Sequence, residues 1–293
     1  MSINVQNQQV RSYGFNPEQV ILGALPQQVT LEFELSQPTK AICFGAGQEV
    51  STVPVVDILT GVWLTGITII INKTEHVIDN MTLADYINVV QNNELKEADI
   101  IDGGNMLWKI FQPALPANTK IQIILNVNTL ALGTATPAAT CVLDMRCITF
   151  DSDVPVGKVL RYYARILPSP TPVGIVAATP FGIQLGTQAR MMKWIHLIME
   201  TPVGTPVDIL MGLFELLADG NPVLTENNPL CKMFYQMLTD SSLAAVPAGH
   251  YIMKAVGNGY NTANQKQLTI RLTPHTTSAT AQVRGFEIFD KNY

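Results

Sequence analysis

The seven-residue string NMLWKIF at Asn105–Phe111 returns later in the chain as NPLCKMF at Asn228–Phe234. Asn, Leu, Lys and Phe match in place, and the two copies start 123 positions apart in a chain of 293 residues. A repeat at nearly half the chain length predicts two copies of one domain. We interpret the string as the same β-strand in both copies, in which Lys109 and Lys232 point outward and discourage edge pairing. A charge at a contact between halves or subunits is the alternative interpretation of the two lysines.

Two further matches follow the string in the same order. Pro116-Ala-Asn118 and Pro247-Ala-Gly249 each precede an apolar run. Phe150-Asp151 and Phe289-Asp290 end the two halves, and this is the weaker match. Together the matches predict three parts: a polar N-terminal arm at 1–16, a first domain at 17–152 and a second domain at 153–293.

Short apolar runs separated by turn residues indicate strands in both halves. Val29–Ser36 and Val159–Leu167 alternate apolar and polar residues with period two, and Ile121–Val127 places its apolar residues on one face. Thr82-Leu-Ala-Asp85 resembles a capping box and predicts one helix, whereas Val207–Ala218 fits either helix or strand. The pattern predicts an all-β fold with a β-sandwich or barrel in each half and one or two short helices.

The composition is poor in charge. Charged residues make up 14% of the chain and hydrophobic residues 47%, whereas about a quarter of the residues are charged in an ordinary domain. A large core with neutral polar loops, or a surface hidden against other subunits, accounts for this. The net charge is −5 and the cations are scattered, so direct sequence-specific binding of nucleic acid is not expected. No signal peptide and no membrane span are predicted.

The cysteines lie in apolar strand-like runs without a CxxC pair, which is typical of buried free thiols. This favours an intracellular, reducing site of synthesis, and pairing between cysteines stays open. The four positions are Cys43, Cys141, Cys147 and Cys231.

We predict no catalytic, cofactor-binding or metal-binding residue. No two histidines are close in sequence, and His196 is expected to be a core or interface histidine. Asp144 and Glu287 are expected on a solvated face or in an interface ion pair. The other histidines are His76, His250 and His275.

Tryptophans and glycine-rich stretches carry equally little functional signal. The tryptophans are expected in the core, with sugar stacking as the alternative. Gly157-Lys158 lacks the rest of a phosphate-binding loop, and Gly257-Asn-Gly259 is typical of a turn. The tryptophans are Trp63, Trp108 and Trp194.

Two β domains in tandem, marked by Asn105–Phe111 and Asn228–Phe234, together with few charges and a polar arm, resemble one known class of proteins. It is that of the double jelly-roll major capsid proteins of tailless icosahedral viruses, the lineage that includes adenovirus hexon and several membrane-containing phages. The resemblance covers 17–293 and is one of organisation, since that family has no diagnostic motif. The chain length suits a compact phage version without large tower insertions. Within the class, the chain resembles in particular the coat protein of the small membrane-containing phages of Flavobacterium.

The resemblance implies an eight-stranded antiparallel jelly roll in each half. It implies a homotrimer whose six similar barrels form a pseudo-hexagonal tile of an icosahedral shell. Such a protein belongs to the virion, is synthesised in the host cytoplasm, and is neither an enzyme nor a cofactor protein. Implied partners are further copies of the chain, a vertex protein and an internal membrane. The alternative is a double jelly-roll hydrolase acting on glycans or a carbohydrate-binding protein, and a third possibility is a phage tail or receptor-binding protein.

Overall fold

The structure, a computed structural model, divides into two compact units. The first is Met1–Leu160 with Asn292–Tyr293, and the second is Arg161–Lys291. The domain ranges 17–152 and 153–293 stay a prediction. The described residues are 10–14, 20–21, 27–50, 53–56, 64–91, 94, 107–127, 141–151, 159–165, 174–186, 188–207, 211–238, 247–255 and 257–292.

Antiparallel strands build the first unit. One sheet runs in the order β1-β10-β4-β8, with β2 beside β10 and β5 beside β4, and the other runs β7-β6-β9-β3. The strands are β1 (Val10–Gly14), β2 (Val20–Ile21), β3 (Gln27–Glu34), β4 (Thr39–Val50), β5 (Val53–Val56), β6 (Leu64–Ile71), β7 (Glu75–Met81), β8 (Leu107–Leu115), β9 (Lys120–Val127) and β10 (Cys141–Asp151).

The second unit has the same construction. One sheet runs β11-β19-β13-β16 with β17 beside β13, and the other runs β12-β18-β14-β15. The strands are β11 (Val159–Arg165), β12 (Phe181–Leu185), β13 (Met191–Glu200), β14 (Met211–Ala218), β15 (Asn221–Glu226), β16 (His250–Lys254), β17 (Tyr260–Asn261), β18 (Leu268–Pro274) and β19 (Gln282–Asn292).

The two units share one strand order. If the short strands β2, β5 and β17 are set aside, eight strands remain in each unit. In chain order, one sheet of each unit contains the first, eighth, third and sixth strands, and the other contains the second, seventh, fourth and fifth. This is the jelly-roll order, in which successive strands alternate between the two sheets except for the hairpin of the fourth and fifth strands. The predicted all-β double jelly roll is confirmed.

Strand alternation places the core of the first unit where the sequence pattern predicts it. Leu31 and Phe33 of β3 pair in register with Ile123 and Ile121 of β9, and Ile123 pairs on its other side with Ile69 of β6. All five side chains are buried. Each contributes roughly 1.5–3 kcal/mol when it leaves water, so this row of side chains stabilises the register of three neighbouring strands.

In the second unit, β13 is buried on both faces. Ile195, Leu197 and Met199 belong to the hydrophobic core between the two sheets. The alternating residues Trp194 and His196 point to the opposite face and are buried as well. The near-continuous apolar sequence of β13 is what burial on both faces requires.

Two helical segments occupy equivalent places, each between the fifth and sixth strands of its unit. The first begins at Thr82, whose hydroxyl accepts a hydrogen bond from the backbone N–H of Asp85, so the predicted cap is confirmed. It comprises α1 (Leu83–Asp85) and a π-helical continuation (Tyr86–Gln91). The second is α2 (Asn228–Leu238). The ambiguous Val207–Ala218 contains β14, a strand.

The interpretation of the repeated string as the same strand is wrong. Leu107–Phe111 opens β8, whereas Asn228–Phe234 opens α2. The side-chain oxygen of Asn227 accepts a hydrogen bond from the Leu230 N–H at 3.2 Å, which caps the helix. Pro229 lies in the first turn, where its missing N–H costs no hydrogen bond. Local capping therefore makes a helix from a sequence that matches a strand elsewhere.

Of the two further sequence matches, one joins equivalent positions in the two units and the other does not. Pro116-Ala-Asn118 joins the sixth strand to the seventh, but Pro247-Ala-Gly249 precedes the sixth strand, so the two are not equivalent. Phe150-Asp151 and Phe289-Asp290 both lie near the end of the eighth strand, in β10 and β19. The weakest match in sequence is therefore the one that the topology supports.

Part of the predicted N-terminal arm belongs to a sheet. Residues 10–14 form β1, and Val10 pairs with Phe150 of β10. The prediction of an arm is therefore wrong for these five residues, because a partner strand far along the chain supplies their backbone hydrogen bonds. Residues 1–9 and 15–16 lie outside the described residues.

Two glycines at left-handed backbone angles predict unequal sensitivity to alanine. At Gly249 (φ +75°) a Cβ would lie 2.3 Å from the carbonyl oxygen of Met199, whereas at Gly220 (φ +84°) it would meet no atom within 4 Å. We expect Gly220→Ala to lose only about 1–2 kcal/mol of stability, because alanine is strained at this left-handed backbone angle. Gly249→Ala should unfold at a clearly lower denaturant midpoint, because backbone would have to move. Equal midpoints in a denaturant titration would contradict the assigned packing.

Candidate functional site

The outer edge of the sixth strand is covered by side chains in both units. In the first unit, the cover consists of residues 83–91 and Glu94; in the second, it consists of α2 and the preceding Glu226. We call these the first and second cover segments. An uncovered strand edge exposes unpaired N–H and C=O groups and invites another strand. The covers therefore decide which surfaces of each jelly roll are open to other chains.

The first cover segment bonds β8 as a neighbouring strand would. The hydroxyl of Tyr86 donates to the carbonyl of Trp108 at 2.8 Å, and the amide oxygen of Gln91 accepts from the Trp108 N–H at 3.1 Å. The carboxylate of Glu94 accepts from the Ile110 N–H at 2.6 Å. Three side chains thus satisfy three backbone groups at this edge.

Lys109 completes this network from inside the protein. Its ammonium donates to the second oxygen of the Glu94 carboxylate and, at 3.0 Å, to the carbonyl of Ile110. The side chain is fully buried, so the predicted outward orientation of Lys109 is wrong. A buried cation of this kind requires its carboxylate partner, because removing one member leaves an uncompensated charge.

The second cover segment makes a similar contact with a thiol in place of the lysine ammonium. One oxygen of the Glu226 carboxylate accepts from the Lys254 N–H of β16 at 3.2 Å, and the other accepts from the Cys231 thiol at 3.3 Å. Burial raises the pKa of Glu226, although both hydrogen bonds oppose the rise. Burial also raises the pKa of Cys231, with the nearby Glu226 adding to the shift. The Cys231 thiol therefore keeps its proton and donates a hydrogen bond to the carboxylate.

Two histidines and a tyrosine join α2 to the sheet. Nε2 of His196 on β13 lies 3.0 Å from Nδ1 of His250 on β16. The Tyr235 ring of α2 meets both imidazoles edge to face, with centroids 5.4 and 5.6 Å away. All three side chains are buried. Burial, followed by His250 and Arg284, lowers the pKa of His196 well below its usual value.

Two other buried acids of the second unit, Glu287 and Glu200, are paired with arginines. Arg190 makes a two-pronged contact with the Glu287 carboxylate, 2.7 Å from Nη2 to Oε2. Arg284 contacts Glu200 in the same way at 2.8 and 2.9 Å. Glu287 is buried, which raises its pKa although Arg190 opposes the rise. The expectation of a solvated or interface position for Glu287 is therefore wrong, since Arg190 of the same unit neutralises it.

The outward face of α2 is apolar. Leu230, Met233 and Met237 are 39%, 43% and 52% exposed. Their spacing of three and four residues places them in one stripe along the helix. Lys232 does not join this stripe, because its ammonium lies 4.3 Å from the centre of the Tyr251 ring. The equivalent segment of the first unit differs, since Tyr86, Val89 and Val90 are fully buried.

The remaining residues considered in the sequence are dispersed. His76 and His275 are exposed and separate from the His196–His250 pair. Trp194 is buried, as expected, and Trp108 is half-buried. Cys43 and Cys231 are free and buried, as expected, and burial raises the pKa of Cys43 to about 12. Trp63, Gly157-Lys158 and the side chains of Asp144, Cys141 and Cys147 lie outside the described residues.

No constellation for catalysis emerges from these contacts. Within the described residues, no three or more His, Cys, Asp or Glu side chains are placed to hold a metal ion. A cavity of about 110 Å³ in the second unit is lined by Leu216, Val223, Leu224, Ala255, Gly259 and Tyr260, of which only the tyrosine carries a polar side chain. Among the described helices, none has the length and apolar character needed to cross a bilayer.

The cover segments were missed in the sequence because their residues are far apart. Glu94 and Ile110 are 16 residues apart, and Glu226 and Lys254 are 28 apart. The usable signals were local: a cap at Thr82 and the Asn-Asn-Pro at 227–229 that starts α2. Neither signal says which strand the helix will meet, because that depends on sheet order.

Three solved structures resemble this chain along nearly its whole length. The major capsid protein P2 of bacteriophage PM2 gives a TM-score of 0.62 at 11% identity, with 97% of each chain covered. The STIV MCP gives 0.61 at 10% identity, with 96% of each chain covered. A chain of Sulfolobus Turreted Icosahedral Virus gives 0.60 at 10%, covering 96% of this chain and 89% of the other. No family model and no curated protein matches the sequence.

At this level of identity the likeness is one of fold. The chain has the fold of these double jelly-roll capsid proteins, as the sequence resemblance implied.

The buried pair in the first cover segment predicts a large loss of stability for Glu94→Gln. The substitution leaves Lys109 buried without its carboxylate, so we expect a loss of about 3–5 kcal/mol. The matched control is Glu32→Gln in the same unit. The Glu32 carboxylate lies 3.3 Å from the ammonium of Lys73, and both side chains are exposed, so a loss of stability of only about 0–1 kcal/mol is expected. The double variant Glu94→Gln/Lys109→Met should recover part of the loss. Equal unfolding midpoints for Glu94→Gln and Glu32→Gln would refute the role of the pair.

Proposed function

We propose that the protein is a structural virion protein, a major capsid protein that self-assembles into an icosahedral shell. The observation that carries the proposal is the agreement of fold, over 96–97% of this chain, with proteins named as major capsid proteins. A likeness over the whole length includes both jelly rolls, not one common domain. The proposed location is the virion, after synthesis in the host cytoplasm.

The doubled fold supports a trimeric building block. Two jelly rolls with the same strand order give one chain two similar flanks. Three such chains around an axis present six similar barrels, and closed symmetry lets every flank meet a partner. We therefore propose a homotrimer that acts as a pseudo-hexagonal tile, with other trimers as its main partners. A vertex protein and an internal membrane are further proposed partners.

The apolar stripe of α2 supports contact between copies of the chain. Leu230, Met233 and Met237 are exposed on α2, whereas Tyr86, Val89 and Val90 of the first cover segment are buried within the chain. An exposed apolar stripe of this kind fits burial against a second copy of the chain. The charged fraction of 14% fits a molecule with much hidden surface.

The proposal does not include enzymatic activity, and the glycan-active alternative predicts a different behaviour. A hydrolase or carbohydrate-binding protein needs polar groups converging in a cleft. The cavity beside β15 is lined almost entirely by apolar side chains, and the buried acids Glu200 and Glu287 are held by arginines. Self-assembly without sugar binding is thus what we expect of the chain.

The proposal predicts that Met233→Glu prevents assembly. A carboxylate in the stripe would have to be buried without a partner at the contact, which costs more than the contact returns. The matched control is Val203→Glu, which changes another exposed apolar residue (87% exposed) outside α2. Light scattering after size exclusion should show trimers and larger species for the wild type and Val203→Glu, and smaller species for Met233→Glu.

Two outcomes would contradict the proposal. A wild-type chain that stays monomeric at high concentration and binds glycans on an array supports the alternative. Assembly of Met233→Glu equal to that of Val203→Glu would remove α2 from the contact. Negative-stain microscopy of the assembled material then shows whether hexagonal tiles form.

A further inference from the structure

We propose that the His196–His250 pair makes the docking of α2 sensitive to acid, so that protonation of the pair releases the helix from its sheet. The helix carries the stripe Leu230, Met233 and Met237, so its release would weaken contacts between copies. This last step rests on the proposed capsid function, whereas the release of α2 does not.

The geometry admits two neutral imidazoles and disfavours a charged one. His196 Nε2 lies 3.0 Å from His250 Nδ1, so one proton shared between these nitrogens satisfies both. The other nitrogen of His196, Nδ1, is buried and has no hydrogen-bond partner among the described residues. An imidazolium has an N–H on both nitrogens. A charged His196 would therefore place an N–H without an acceptor inside the protein, a costly arrangement.

The charges around the pair add to this cost. On the same face of β13 and β19 lie Glu200 and Arg284, which neutralise each other in a two-pronged contact. On β16, Lys254 occupies the same face as His250, two alternations along the strand. Glu200 is thus engaged by Arg284 and does not neutralise a charged His196.

The remaining neighbours come from the second cover segment. Tyr235 contributes a ring, and the ammonium of Lys232 lies over Tyr251. Glu226 is the acid of this segment, and its two oxygens are bonded to the Lys254 N–H and the Cys231 thiol. Among the described residues, the groups named around His196 are therefore cations, neutral rings and engaged acids, and none of them is bonded to its Nδ1.

The direction of the pH effect follows from the lowered pKa of His196. An unfolded histidine takes up its proton near pH 6.5, but His196 in the docked state remains neutral well below that. The undocked state therefore binds more protons than the docked state. The free energy that favours the docked helix is greatest above about pH 6.5 and decreases as the pH falls. For each such histidine, the equilibrium constant for opening increases by up to about tenfold per pH unit.

Release is expected to begin at α2 and not in the core between the sheets. Tyr235 is the contact that α2 makes with both imidazoles, and a hydrated, charged pair would displace this ring. The sheets themselves are held by the core that includes Ile195, Leu197 and Phe214, to which α2 contributes Cys231. Acid thus loosens one helix and leaves the jelly roll folded.

The test is hydrogen exchange of the full-length protein at pH 7.5 and 5.0, with rates corrected for the intrinsic chemistry of exchange. We expect the protection of 228–238 to fall about tenfold or more at pH 5.0, while β18 stays protected. His196→Phe, which keeps a ring against Tyr235, should reduce this pH dependence. The exposed His275→Gln should leave it unchanged. Equal corrected rates at both pH values in the wild type, or an unchanged pH effect in His196→Phe, would overturn the proposal.

An NMR titration of the wild type needs no variant and decides the point if His196→Phe does not fold. The His196 resonance should remain that of a neutral ring below pH 6, whereas an ordinary titration near pH 6.5 would overturn the proposal. Light scattering at the same two pH values tests the assembly step. Loss of large species at pH 5.0 supports it, and persistence of intact shells while α2 opens refutes it. A chain that never assembles at pH 7.5 contradicts the proposed function, but not the acid opening of α2.

Discussion

The edge of the sixth strand sets the main constraint on each jelly roll. A strand at the side of a sheet has N–H and C=O groups that need partners, and an unsatisfied group inside a protein costs about 1–3 kcal/mol. Both units meet this need with a helical segment placed just before the strand, whose side chains bond its backbone. In each, a glutamate accepts the N–H: Glu94 from Ile110 and Glu226 from Lys254. The position of the helix, and therefore the surface that it presents, follows from this requirement.

The two units have diverged around this shared contact. The first neutralises its glutamate with a buried lysine, Lys109, and the second leaves Glu226 beside the neutral thiol of Cys231. The charged version tolerates little change, because either partner alone is a buried ion. The second unit keeps its polarity elsewhere, in the His196–His250 pair under Tyr235. The same edge is thus covered by an ion pair in one jelly roll and by a glutamate that bonds a thiol in the other.

Many of the strands could be predicted from local sequence pattern. Which elements of the two halves correspond to one another could be predicted only in part. Alternation identified the strands that became β3, β9 and β11, and Thr82 identified the first helix, because these signals involve neighbours in sequence. The repeated string predicted two copies of one fold, and the structure has them. The two copies of the string are nevertheless not equivalent, because one is a strand and the other a helix. Lys109 was misplaced because strand alternation cannot reveal that a glutamate 15 residues earlier returns to bond it.

The sequence by itself determined a β-rich chain in two parts, with few charges and no recognisable catalytic motif, because composition and period-two alternation are local properties. Tertiary structure alone decided which elements are equivalent, since the order of eight strands in two sheets depends on contacts far apart in the chain. It also decided that Lys109 and Glu287 are buried and that Leu230, Met233 and Met237 are exposed. Burial depends on the layers that pack over a residue, and those layers come from distant segments that no local pattern describes.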